Sequence, residues 1–217
     1  VIATYPFAKW VIVGAGVTMG WDNSDNNNGH LRPIVTADFT PIDKLTAGVH
    51  AMWGPEQSRN QMRDGDVNNR WIVDTSIQYT GIERWTFAVN FDFAGEENDP
   101  LLVPTRKDAS SRWGGVAGYA AYDWTKALRT ALRLEYFSDP QGVRSSETVT
   151  PGANVDLWEI TATAEYKIWK GLVGRLEYRH DQANRKAFSV RNEGGAGLAP
   201  TSEAQNTITL ALYYSFF

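Results

Sequence analysis

The chain has no cysteine. It therefore offers no disulfide framework, no thiolate nucleophile and no Cys-ligated zinc site. It also lacks long apolar runs. Its longest charge-free stretch is Ala204–Phe217, partly polar, followed by Trp10–Trp21. A membrane-spanning helix needs about 20 apolar residues, so none is present. Nor is there a basic excess: the net charge is −4, which gives no footprint for nucleic acid. The opening residues VIATYP carry no initiator Met, basic segment or apolar core of a leader. They read as the middle of a strand, so we expect a mature or truncated product with earlier strands missing.

What is abundant is aromatic: 9 Trp, 9 Tyr and 9 Phe in 217 residues. Trp and Tyr concentrate at membrane–water interfaces. The final segment, TITLALYYSFF, shows how they are arranged. Ile208, Leu210, Leu212, Tyr214 and Phe216 fall on one face of a two-residue repeat, and Thr207, Thr209, Ala211, Tyr213 and Ser215 on the other. That period belongs to a strand, not a helix.

The pattern recurs upstream. Five connections share one layout: Tyr5-PFAKW-Val11, Phe39-TPIDK-Leu45, Tyr79-TGIER-Trp85, Tyr122-DWTKA-Leu128 and Tyr166-KIWKG-Leu172. Each places an apolar residue six positions after an aromatic, with a Lys or Arg between them, and reads as a tight hairpin turn. Between them lie five longer connections rich in Asp, Asn, Gly, Ser and Pro: Asp22–His30, Gly54–Asn69, Gly95–Ser111, Ser138–Asn154 and Gln182–Ala204.

The spacing predicts strands at Val11–Trp21, Leu31–Phe39, Leu45–Trp53, Arg70–Tyr79, Trp85–Phe93, Trp113–Tyr122, Leu128–Phe137, Asp156–Tyr166, Leu172–Asp181 and Gln205–Phe216, with Val1–Tyr5 as the tail of another. Most have the length a tilted strand needs to cross the hydrocarbon. Strict alternation of short turns and long loops is the layout of an outer-membrane barrel, whose short turns are periplasmic and whose long loops are extracellular. The expected fold is all-β: one antiparallel up-and-down transmembrane β-barrel domain over residues 1–217, with about ten full strands and a partial first strand, as the C-terminal part of a larger barrel.

Counting from each turn aromatic assigns the faces. Trp85, Phe87, Val89, Phe91 and Phe93 point outward, whereas Thr86, Ala88, Asn90 and Asp92 point inward. Inward-pointing charges expected to line a pore are Arg129, Arg133, Glu135, Glu159, Glu165, Arg175, Glu177, Arg179 and Asp181. They read both as cross-strand ion pairs stiffening the wall and as a field across a polar lumen. Aromatics expected at the membrane interfaces form one belt near Tyr5, Phe39, Tyr79, Trp85, Tyr122, Tyr166, Tyr214 and Phe216. A second lies near Trp21, Trp53, Trp71, Phe93, Trp113 and Trp158. A soluble β-sandwich would show the same alternation with its aromatic face buried. The placement of the aromatics at strand ends favours lipid.

Several stretches resemble one known family: ATYP, GWDN at Gly20–Asn23, YTGIERWTFAVNFDF, WGGVAGYAAYDWT, LRLEYFSDPQGVR, LWEITATAEYKI, LVGRLEYRHDQ and QNTITLALYYSF. Together they resemble the OmpL-like outer-membrane β-barrel porins, and they run from end to end. The resemblance implies an outer-membrane channel. Family members usually carry further N-terminal strands, and their C-terminal signature ends on a Phe in phase with the lipid face, the place of Phe216. Phe217 is one residue more.

Other readings are weaker. Gly14, Gly16 and Gly20 follow an apolar strand as in a dinucleotide site, but WDNSDNNNG cannot begin the helix such a site needs. No cofactor is expected. Asp22, Asp25 and Asn26–Asn28 hold oxygen ligands without the spacing of a calcium loop, so no metal is expected. No catalytic residue is assigned, although His180–Asp181 is the candidate for a rim hydrolase. Leu101, Leu102 and Val103 fold into the mouth, touch a partner or stay exposed. The reading is a porin-like channel for small hydrophilic solutes or ions, in contact with outer-membrane lipid, with a protein partner or homo-oligomer open. The alternative is a barrel scaffold whose lumen or rim holds a partner protein.

Overall fold

The computed structural model describes residues 1–21, 26, 28–58, 67–102, 109–145, 152–188 and 200–215. Those residues form eleven strands: β1 (Ile2–Ala8), β2 (Val11–Thr18), β3 (Arg32–Ile42), β4 (Leu45–Pro55), β5 (Asn69–Tyr79), β6 (Trp85–Glu96), β7 (Ser111–Asp123), β8 (Leu128–Asp139), β9 (Val155–Trp169), β10 (Leu172–Ala183) and β11 (Ala204–Tyr214). All belong to one antiparallel sheet in sequence order. Each strand pairs with the next, and among the described residues β1 and β11 each have a neighbour on one side only. No described helix is long and apolar enough to cross a membrane.

The strand count matches the sequence pattern, and the ends differ. β1 continues through Pro6 and Phe7, leaving only Lys9 and Trp10 as the turn. β3 runs on to Ile42 and β9 to Trp169. The turns are tight because single residues take the left-handed conformation: Lys44 at φ 70°, Arg84 at φ 66° and Gly171 at φ 80°. That conformation costs a non-glycine residue about 1–2 kcal/mol, which the ladders on either side offset. At Gly171 a side chain would also collide with the Ser215 carbonyl, 2.5 Å from an ideal Cβ.

β2 ends at Thr18, three residues before the expected boundary. Gly14 and Gly16 lie inside it, where a Cβ would overlap the Thr36 hydroxyl and the Val1 carbonyl respectively. The glycines therefore serve close strand packing. Asp22 and Asp25 fall outside the described residues. Asn26 closes a local Asx turn through its Oδ1, which accepts the Gly29 N–H at 2.6 Å.

Register assigns each residue to a face, because directly paired residues point the same way. One face carries Trp85, Phe87, Val89, Phe91 and Phe93 on β6 and Ile208, Leu210, Leu212 and Tyr214 on β11. It has no second layer over it: Leu210 stays 77% exposed. A soluble sandwich would bury this face under another sheet, and the described chain has only the one sheet. Burial concentrates elsewhere, at the long-loop end of the strands. Arg32, Gln57, Ser111, Asp139 and Val155 are the largest of the fully buried side chains, and Val155 packs with Ala183 and Ala187.

Candidate functional site: the charged inner wall

The opposite face is polar, and a contact between distant strands identifies it as concave. The Trp21 ring, just beyond β2, lies 6.1 Å from the ring of Trp113 on β7. Five strand spacings of ~4.8 Å put β2 and β7 about 24 Å apart along the sheet. The contact fits a sheet that curls toward the face that bears Trp113, with the Trp21 backbone drawn to the end of β4 by Glu56. Trp113 is paired with Ala94 and shares a face with Asn90 and Asp92.

This contact corrects two expectations. Trp21 and Trp113 were read as interface aromatics, but both belong to the mouth of the concave side. Trp113 is 6% exposed. The Arg144 guanidinium sits over it at 4.9 Å and over Trp21 at 5.7 Å, while Arg70 covers Trp21 at 5.6 Å. The parity was legible: Trp113 is nine residues from Tyr122, so the two must point to opposite faces. Trp21 left no such signal, because its position depends on where β2 stops.

The mouth is clasped by buried polar groups. Glu56 Oε1 accepts the Trp21 backbone N–H at 2.8 Å and lies 2.8 Å from Arg32 Nε, with both side chains 1% exposed. Arg32 also donates to the carbonyls of Met19 and His30. Gln57 Nε2 donates to the Glu97 and Asn98 carbonyls at 3.1 and 2.9 Å. Asn28 Nδ2 ties to the carbonyls of Pro55 and Gln57. Glu96 takes both Nε and Nη2 of Arg70, at 2.8 and 2.6 Å. Residues following β2 and β4 are thereby drawn over the concave side. Leu102 is buried and donates its N–H to Asp99 at 2.9 Å, while Leu101 is exposed and Val103 lies outside the described residues.

Below the mouth, all nine expected charges lie on the concave face, in rungs set by register. One rung holds Glu135, Glu159 and Asp181; the next holds Arg133, Thr161 and Arg179. Each arginine reaches across to the carboxylate rung. Arg133 pairs with Glu135 and, at 2.7 Å, with Glu159; Arg179 Nη2 pairs with Asp181 at 2.6 Å. Nearer the short turns, Arg129 lies 3.3 Å from Asp123 and Arg175 lies 3.0 Å from Glu165, which also accepts from Tyr213 Oη. Glu177 accepts from Thr163 Oγ1 at 3.0 Å.

Sequence reasoning did not single out a second charged arc on β3–β6. Asp74 and Asp92 stand directly opposite each other in the register of β5 and β6. His50 on β4 pairs with Asp74 in register, and its Nε2 is 3.0 Å from Asp38 Oδ1 on β3. Asn90 Nδ2 donates to Asp74 at 2.7 Å.

On the convex side, Tyr5, Phe39, Tyr79, Trp85, Tyr122, Tyr166 and Tyr214 occupy the short-turn end, and Trp53, Trp71, Phe93 and Trp158 the loop end. Phe216 lies outside the described residues. Trp124, on a short turn, extends the first belt: its ring meets Tyr122 at 4.8 Å, and Tyr122 meets Trp85 at 4.8 Å. His180 also faces outward, with Nδ1 2.9 Å from Asn206 Oδ1. Asp181 faces inward, so the two residues of the hydrolase candidate lie on opposite sides of the wall and cannot form one site.

Solved structures share this architecture. An anion-selective porin from Comamonas acidovorans superposes with a TM-score of 0.70 at 10% identity, covering 99% of this chain and 58% of that one. OmpT, an outer membrane protein of Vibrio cholerae, gives 0.65 at 14%, covering 99% and 63%. Its trimer form gives 0.63 at 14%, covering 99% and 64%. This chain therefore spans about three fifths of the length of the structures it matches. No curated protein matches the sequence. The family model described as "Putative beta-barrel porin-2, OmpL-like" matches residues 1–216, and the chain belongs to that family.

Proposed function

We propose that the chain forms the wall of an outer-membrane channel through which small hydrophilic solutes or ions diffuse passively. One observation carries the reading: every described mid-strand charge lies on the concave face, which the loop residues around Trp21 narrow at one end. The convex face supplies the apolar surface and aromatic belts that lipid requires. Nothing in this mechanism needs a cofactor or an energy source. Solutes are sorted by the width of the mouth and the charges below it.

The unpaired sides of β1 and β11 leave room for further strands to close the barrel, and the greater length of the similar porins supports that closure. A barrel of 16–18 strands leaves an aqueous channel. We place the short turns and the C-terminus in the periplasm and the clasped mouth outside. The contact of this barrel with copies of itself is a matter for the same preparation, read by its size in detergent.

The deciding experiment is single-channel recording of the complete protein in a planar bilayer. Stable open steps are expected, and Trp21→Ala, which empties the mouth of its ring, is expected to enlarge them. A folded, inserted barrel that never conducts would refute the channel and favour a scaffold with an occupied lumen.

A further inference from the structure

We infer that the pore prefers cations, and that Asp38, Asp74 and Asp92 on the β3–β6 arc set this preference rather than the arginine-rich β8–β10 arc. The inference rests on the channel reading above and adds the sign of its selectivity.

The two arcs differ in how their charges are balanced. Each of the four arginines on the β8–β10 arc lies within 3.3 Å of a carboxylate. A paired guanidinium presents a dipole to the lumen instead of a net positive charge, so its reach into water is short. Glu177 stands outside those pairs, accepting from the Thr163 hydroxyl within the field of Arg179, so the arc keeps a carboxylate beyond the partners of its four arginines.

On the β3–β6 arc, no Lys or Arg among the described residues is within ion-pair distance of Asp38, Asp74 or Asp92. Their nearest ionisable partner is His50, 3.0 Å from Asp38 and 3.9 Å from Asp74. Like charges directly opposite on neighbouring strands destabilise a sheet. Asp74 and Asp92 are so placed, and beside His50 the described wall gives Asp74 only the neutral amide of Asn90. No described Lys or Arg supplies their counter-charge, which leaves that part to the solution in the lumen. Mobile cations meet that need, and a low-dielectric wall of one sign concentrates them and excludes anions.

At the rim, among the described residues, Arg144 lies over the Trp21 and Trp113 rings. Arg32 is paired with Glu56 and Arg70 with Glu96. The likeness to an anion-selective porin is one of fold at 10% identity. Backbone geometry is common to both, so the sign of selectivity resides in the side chains.

The test is the reversal potential of the complete protein in a planar bilayer across a potassium chloride gradient. The wild type is expected to favour potassium over chloride several-fold. Asp38→Asn, Asp74→Asn and Asp92→Asn together are expected to bring the permeability ratio near one, and Asp92→Asn alone to move it part of the way. The paired control Glu83→Gln with Arg84→Gln, which removes one charge of each sign from an exposed short turn, is expected to leave the ratio where it was. Heat-modifiable migration on a gel verifies that each variant is folded. An anion-preferring wild type, or a ratio unchanged by the triple variant, overturns this inference and leaves the channel intact. A folded protein without conductance refutes the channel itself, and this inference with it.

Discussion

Two pairs of carboxylates face each other directly across neighbouring strands of the inner wall: Glu135 with Glu159, and Asp74 with Asp92. In the first pair Arg133 bonds to both members, and Glu159 is almost wholly buried. In the second no guanidinium among the described residues intervenes, and an asparagine and a histidine stand nearby. The same local repulsion is thus neutralised inside the wall in one place and left open to the lumen in the other. A wall selected only for rigidity would give both pairs an arginine. On the channel reading proposed above, the difference separates charges that hold the sheet together from charges available to permeating ions.

Substitutions can break this contrast, and the deepest pair sets the scale. Glu56→Gln leaves the Arg32 guanidinium, 1% exposed, without its counter-ion. Breaking a fully buried pair from one side costs about 3–5 kcal/mol. A lower urea midpoint of the folded barrel in detergent, together with larger or noisier open steps as the mouth loosens, is expected. An unchanged midpoint would show that the clasp holds without its charge.

Arg133→Met makes the balanced pair resemble the unbalanced one. Glu135 and Glu159 then face each other with no cation between them. The Arg133 side chain is 30% exposed, so water offsets part of the loss, and a cost of about 2 kcal/mol is expected. Potassium preference should rise at the same time. Arg133→Lys should restore part of the stability and most of the original selectivity. A variant as stable as the wild type would show that register alone holds these strands.

Asp92→Asn makes the opposite change. It removes one of two opposed charges and keeps the shape, so we expect a gain of about 0.5 kcal/mol alongside a weaker preference for potassium. Stability and potassium preference therefore trade against each other at both positions: at Asp92→Asn the sheet gains and the preference falls, and at Arg133→Met the sheet loses and the preference rises. A loss of stability at Asp92 would mean that its carboxylate holds the sheet after all.

Much of this wall was legible in the residue pattern. The period of two and the six-residue spacing across each short turn assign the faces, and they put Arg129, Arg133, Arg175 and Arg179 on one face, as the register also does. Opposition of particular residues needs register as well. The turn after Tyr79 pairs it with Phe87, and continuing that register reaches Asp74 opposite Asp92. Trp113 was misplaced because its position at a strand end was weighed above its parity. Trp21 could not be placed from local pattern at all. Its partners Trp113, Arg70 and Arg144 come from β7, β5 and the residues after β8, and the Glu56 carboxylate that holds its backbone follows β4, so none of them is near it in sequence.

The smallest effect is expected at Arg175 and Glu165, and it tests whether every ion pair of the balanced arc contributes. Their Nη2–Oε2 distance is 3.0 Å, with side chains 44% and 22% exposed. Such pairs contribute about 0–1 kcal/mol, because water and salt screen them. Glu165 also accepts a hydrogen bond from Tyr213 at 2.9 Å, and Arg175 lies over the Tyr213 ring at 5.5 Å. This group fastens β11 to β9 and β10. A double-mutant cycle on Arg175→Gln and Glu165→Gln should give a coupling below about 1 kcal/mol, weakening further in high salt. A salt-insensitive coupling well above that value would mean that the tyrosine shields the pair, and the last strand would then be held by charge as firmly as by its backbone ladder.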